Sequence, residues 1–189
     1  DSTEKLIHIP SIQRADSAVP FARQYLQAAM KELAADPRVL FIGQNVAYPG
    51  NVMYDTLEGV PMDRRLELPV MEEVQMGMAI GLAMMGYIPV SIYPRFDFIL
   101  LAMNQLVNHL DKIPFMSQYQ FIPKVIIRTK IGSIRPLDAG PQHTQDHTNA
   151  FRSMLHSVQV VSLDDPHDAV KVYRKALYNE YSSLVIERW

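Results

Sequence analysis

From residue 72 onward the sequence alternates between segments with helical apolar spacing and short apolar runs of strand length, and few folds accommodate that pattern. Residues 72–85 read as a helix and 88–92 as a strand; 98–110 read as a helix and 124–128 as a strand. Residues 148–155 then give a helix, 158–162 a strand, 165–177 a helix opened by Asp165-Pro166, and 184–186 a last strand. Upstream, Phe21, Tyr25, Leu26, Ala29, Met30 and Leu33 fall at helical spacing, so 21–34 is a helix, ended by Asp36-Pro37. Residues 39–42 are a buried strand closed by Gly43. Residues 45–68 read as a long loop with room for a helical turn and with turn chemistry at Tyr48-Pro49-Gly50-Asn51. Alternation of this kind predicts a three-layer αβα sandwich around a mostly parallel sheet. Ligands of such sheets bind beyond the carboxyl ends of the strands. The stretches 43–70, 93–97 and 129–146 follow strands and form the candidate floor of a site.

The 189 residues suit one domain, at roughly 150 residues per domain. With 48% hydrophobic and 20% charged residues, they can fill a core. The polar residues 1–20 are expected to be an arm and 21–189 the single domain. The absence of cysteine removes disulfides, thiolate metal sites and cysteine nucleophiles. A net charge of −2 carries no basic footprint for nucleic acid. No basic-then-apolar leader opens the chain. The uncharged stretch 74–94 is divided by Gly77, Gly81, Gly86 and Pro89 into a buried helix and a strand, not a membrane span. The expectation is a cytoplasmic protein with neither a membrane nor a nucleic-acid partner.

The familiar phosphate-loop, dinucleotide, nucleophile-elbow and zinc-helix signatures are missing. His143 and His147 are four apart, but glycine and proline interrupt the stretch before them, so helical spacing does not make them a metal pair; no metal ligands are assigned. The distinctive segment runs from Pro69 to Ala83. Glu72 opens a helix, and Gly77 and Gly81 share one of its faces, which lets another backbone approach closely. Spacing alone also allows Glu72 to be only a helix N-terminal charge and the glycines to be only packing.

A glutamate, four residues, then Gly-Φ-x-x-Gly-Φ (Φ apolar) resembles the pyrimidine-domain motif of thiamine-diphosphate enzymes. The run from Phe96-Asp97-Phe98 through Ala102 to Asn104-Gln105-Leu106-Val107-Asn108 is similar to one in the β subunits of 2-oxo acid (pyruvate) dehydrogenases. So are Lys124 to Arg128 followed by Gly132, Gln142-His143-Thr144-Gln145, and Val160-Val161-Ser162 with Asp168-Ala169. The resemblance covers about residues 39–187 and implies a transketolase-like pyrimidine-binding domain. It implies that Glu72 is the acid held against the aminopyrimidine of thiamine diphosphate, favouring the tautomer that sets a basic nitrogen beside the thiazolium carbon. Glu73 is the neighbouring competitor. Val70 would touch the cofactor, Phe98 would stack on its pyrimidine with Phe96 as the rival aromatic, and His143 would handle the substrate or its adduct. A monovalent-cation site of backbone carbonyls occurs in relatives near Val125, Ala176, Asn179 and Tyr181.

Three departures qualify that picture. The chain lacks the Gly-Asp-Gly and distant Asn that hold Mg2+ and diphosphate, so an α-type partner would supply that half in an α2β2 heterotetramer. It ends at Trp189, where the family's β subunits continue into another domain. Gly43-Gln44-Asn45-Val46 carries amides where the family has acids, and Ile92 stands where a glutamate is common. The implied function is the β-type subunit of a split enzyme that decarboxylates a 2-oxo acid such as pyruvate and transfers the acyl or hydroxyalkyl unit. A split transketolase, with Arg95, Arg128 or Arg135 binding sugar phosphate, is the alternative, as is a non-catalytic assembly subunit.

Overall fold

The computed structural model describes residues 18–133 and 138–189. The expected arm lies outside them, except that the first helix, α1 (Ala18–Ala34), begins three residues earlier than its apolar spacing indicates. In chain order there follow β1 (Val39–Gly43), α2 (Val52–Thr56), β2 (Arg65–Glu67), α3 (Glu72–Met84) and β3 (Ile88–Tyr93). Then come α4 (Ile113–Met116), β4 (Ile126–Lys130), α5 (Thr148–Met154), β5 (Gln159–Leu163), α6 (Ala169–Tyr178) and β6 (Ser183–Glu187). The six strands form one wholly parallel sheet in the order β2-β1-β3-β4-β6-β5.

Period-two alternation along the strands sends side chains to two separate cores. Phe41, Val90, Ile126 and Val185 pack under α1 and α6. Ile42, Tyr93, Ile127 and Ile186 pack under α3, the segment 96–110 and α5. This is the expected three-layer αβα sandwich. No helix among the described residues is long and apolar enough to cross a membrane.

The structure differs from the sequence reading in three places, each for a local reason. Residues 45–68 hold the helical turn allowed for them, as α2, and also an unanticipated edge strand, β2. The Arg65 guanidinium donates to the carbonyls of Leu57 and Val60, and the Glu67 carboxylate accepts from the backbone N–H groups of residues 45–47. Residues 98–110 are not one α-helix. A 3₁₀ run over Phe96–Ala102 passes into a π-helical run over Asn104–Leu110, a winding that recurs at functional sites. Strand β4 starts at residue 126, not 124, because the Val125 N–H is taken by Ser182 Oγ at 3.0 Å.

Arg128 of β4 is fully buried. Its Nε donates to Glu187 Oε1 at 2.7 Å and its Nη1 to Thr56 Oγ1 at 2.8 Å. Tyr173 Oη donates to the same Glu187 oxygen at 2.8 Å. Burial works against the guanidinium's charge, but Glu187 and Tyr173 outweigh it and hold the pKa above arginine's ordinary value. The network joins β4, β6, α6 and α2. Glu187→Ala would leave the guanidinium charged in a dry core and is expected to cost about 3–5 kcal/mol. Urea unfolding would show this as a lowered midpoint at unchanged slope; an unchanged midpoint would remove the pair from any structural role.

Candidate functional site

The strand order reverses between β1 and β3, and open parallel sheets bind ligands at such a point. Gly43, the last residue of β1, has φ +147°, and a Cβ there would overlap the Ile92 carbonyl oxygen on β3. Glycine therefore lets the two strand ends come together and delivers Gln44 to the carboxyl edge. Asn45 follows in the left-handed region at φ +61°, a conformation asparagine tolerates better than most residues. Glu67 fixes this turn by accepting the N–H groups of Asn45, Val46 and Ala47 at 2.7, 2.8 and 2.8 Å.

Glu72 is the first residue of α3 and is 6% exposed. Gln44, also buried, donates from Nε2 to Glu72 Oε1 at 3.2 Å. The helix N-terminus favours negative charge at this position, and no side chain caps it from Met71. Tyr93 Oη lies 3.4 Å from the Glu72 carbonyl oxygen, and burial raises the phenol's pKa well above its ordinary value. Glu73 points elsewhere: it is exposed and accepts from Asn104 Nδ2 at 3.2 Å. The two adjacent acids are thus separated by environment, with Glu72 turned inward and Glu73 outward.

Phe98 and His143 are both half-buried, with rings edge to face and centroids 5.4 Å apart. His143 Nδ1 lies 3.1 Å from the Ala139 carbonyl oxygen. A carbonyl only accepts, so Nδ1 carries the proton and Nε2 of the neutral ring keeps its lone pair. Phe96 is wholly buried against Phe151 and His147, at centroid distances of 5.0 and 5.6 Å, in the core between the sheet and α5. Val70 is 74% exposed on the segment before α3. The structure therefore pairs Phe98 with His143 beyond β3 and β4, sets Glu72 beside Gln44 beyond β1, keeps Phe96 in the core and leaves Val70 in solvent.

Residues that sequence reasoning did not single out hold this arrangement. Asp97, buried between the two phenylalanines in sequence, accepts from Gln145 Nε2 at 2.7 Å on Oδ1. His147 Nε2 stands 3.8 Å from the same oxygen, and Asp97 Oδ2 has no hydrogen-bond partner among the described residues. This contact ties the stretch carrying His143 to the one carrying Phe98. Gln44 was visible only as a departure from an acidic pattern; its role as donor to Glu72 depends on a contact 28 residues away. Among the described residues no group of three or more His, Asp or Glu side chains is placed to hold a metal ion. Of the three arginines considered for phosphate binding, Arg128 is sealed in its pair with Glu187 and Arg135 lies outside the described residues.

Comparison with known proteins places these features in context. Residues 20–188 match the family described as transketolase, pyrimidine binding domain. The chain is 31% identical over 161 residues to pyruvate dehydrogenase E1 component subunit beta-3, chloroplastic, of Arabidopsis thaliana, covering 83% of this chain and 39% of that protein. It is 30% identical over 165 residues to pyruvate dehydrogenase E1 component subunit beta of Staurastrum punctulatum, covering 85% and 49%. The chain thus spans half or less of these relatives' length. Among solved structures it is similar in fold to a split-gene transketolase described as an inactive β4 tetramer, with TM-score 0.65, 18% identity, and coverage of 87% of this chain and 50% of that one. A Campylobacter jejuni transketolase gives TM-score 0.66 at 18% identity, covering 87% and 25%.

Gly132 follows β4, and a Cβ on it would overlap the His143 carbonyl oxygen. Gly132→Ala is therefore expected to push the His143 stretch outward at a cost of about 1–3 kcal/mol. Faster amide exchange over 138–147 and a shifted His143 ring resonance would report it. An unchanged exchange pattern would mean that the glycine does not set the histidine's place.

Proposed function

The chain belongs to the transketolase pyrimidine-binding domain family, and from that premise we propose that it is the β-type subunit of a split thiamine-diphosphate enzyme. The enzyme would decarboxylate a 2-oxo acid such as pyruvate and transfer the acyl or hydroxyalkyl unit. The observation that carries this reading is Glu72: a buried carboxylate at a helix start, hydrogen-bonded on one oxygen by Gln44, beside the point where strand order reverses.

The residues present fit the aminopyrimidine end of the cofactor. Gln44 engages Oε1 of Glu72, so the second carboxyl oxygen is the one to meet a ring nitrogen. Phe98 offers a half-buried aromatic face, although Val70 would become a cofactor contact only if it were covered in the assembly. When bound, thiamine diphosphate supplies the nucleophilic carbon that cleaves the oxo acid. The chain's own tasks are orientation and proton placement. Glu72, itself only 6% exposed, would hold a proton at the ring nitrogen, where its burial strengthens that hydrogen bond. His143, with Nδ1 tied to Ala139, presents the Nε2 lone pair to accept and return a proton at the substrate.

Mg2+ and diphosphate would be held by an α-type partner carrying Gly-Asp-Gly and a downstream Asn, in an α2β2 assembly. The outward face of α3 supports this arrangement. Val74 and Met78 are exposed on it, a Cβ on Gly81 would meet nothing within 4 Å, and one on Gly77 would touch only the Gln105 side chain at 3.7 Å. Packing within the chain therefore requires neither glycine, which leaves them for a helix of another chain. Arg128, sealed in its ion pair, is not available to a phosphate, which removes one of the three arginines of the sugar-phosphate alternative. A cytoplasmic location belongs to the same proposal.

The test is Glu72→Gln in the complex reconstituted with the α-type chain that co-purifies. Turnover of pyruvate and related 2-oxo acids should fall about 10²–10⁴-fold, the usual share of proton-transfer catalysis, while assembly is retained. Unchanged turnover in an assembled complex would leave Glu72 without a catalytic part and favour a non-catalytic assembly subunit.

A further inference from the structure

Lys124 precedes β4 with its side chain half-buried. Its ammonium donates to the backbone carbonyls of Asn179 and Tyr181, the latter at 3.1 Å. Both carbonyls belong to the turn that leaves α6, where the end of the helix dipole attracts positive charge. No carboxylate of the described residues forms an ion pair with Lys124. Neutral backbone oxygens converging on a positive centre without a counter-ion are the coordination chemistry of an alkali cation, and an ammonium group is close to potassium in size.

The family resemblance implies a monovalent cation held by carbonyls in this neighbourhood. The residues present do not fit a free ion. Lys124 Nζ already engages the carbonyls of Asn179 and Tyr181, and the Val125 carbonyl accepts the Ser183 N–H at 3.0 Å. We propose that Lys124 is a built-in cation that takes the place of a free monovalent ion, tying the turn after α6 to the start of β4. Burial without a counter-ion lowers the side chain's pKa to about 8, which still leaves it mostly charged at neutral pH. The inference does not depend on the catalytic reading, and its test requires neither cofactor nor partner.

Thermal unfolding of the chain is compared in potassium, sodium and tetramethylammonium chloride at one ionic strength. The unmodified protein should have the same Tm in all three; a selective rise in potassium would overturn the proposal. Lys124→Ala empties the position and should lower Tm in tetramethylammonium. Potassium or ammonium ions should then restore about 3–6 °C at tenfold their Kd, by mass action on the folded state. Lys124→Met keeps the stem but neither supplies nor admits a cation, so it should lose stability with no rescue by any salt. Folding of Lys124→Ala in potassium but not in tetramethylammonium would be the same result in stronger form. Full stability of Lys124→Ala without ions, or failure to fold in both salts, would overturn the exchange.

Discussion

The ion pair between Arg128 and Glu187 is the constraint around which the layers are arranged. Both groups lie on the strands nearest the middle of the sheet's longer half, and neither reaches water. Two charges so placed are tolerable only if their remaining hydrogen-bonding capacity is filled. Tyr173 and Thr56 fill it, and they come from α6 and α2. The pair therefore dictates where these two helices rest on the sheet. Burial first, and then the charge of Glu187, hold the Tyr173 phenol's pKa well above its ordinary value, which favours the protonated, donating form.

The same logic organises the irregular segments, and it explains what was legible in the sequence. Apolar spacing reads elements whose backbone groups pair within themselves or across a sheet, so α3, α6, β1 and β3 stood out from their residues alone. Spacing does not show which side chain satisfies the backbone of a connection. Glu67 takes three N–H groups from the turn after β1. Asp111 takes the N–H groups of His156, Ser157 and Val158 with a single oxygen. Arg65 binds the carbonyls of Leu57 and Val60. Each is a charged residue in a polar context, which reads as a surface position until the contact is seen. Strand β2 went unread for this reason: it is three residues long, and its Arg65 and Glu67 act as staples for a distant turn.

Within the candidate site, motif spacing prefers Glu72 to Glu73, and the fold gives the two acids different surroundings: one is buried beside Gln44, the other exposed beside Asn104. The motif places Phe98 ahead of Phe96 as the stacking aromatic, but alternate residues in a 3₁₀ run do not share a face, and packing alone shows that Phe96 is the enclosed ring and Phe98 the half-buried one. Asp97 was invisible as a tether, since its partner Gln145 is 48 residues away.

The amides at 44 and 45 take on a different meaning once the geometry is known. A carboxylate at position 44 would stand as close to Glu72 as the amide does, and two carboxylates at such range share a proton. An amide at that position instead donates outright and adds no second charge beside Glu72. Asn45 occupies a left-handed conformation and lends its N–H to Glu67, tasks that do not require an acidic side chain. The loss of negative charge at this turn therefore accompanies an intact hydrogen-bond framework around Glu72. With Gln44 donating to the buried Glu72 and three backbone donors held on Glu67, the turn is complete without an acidic side chain at either position.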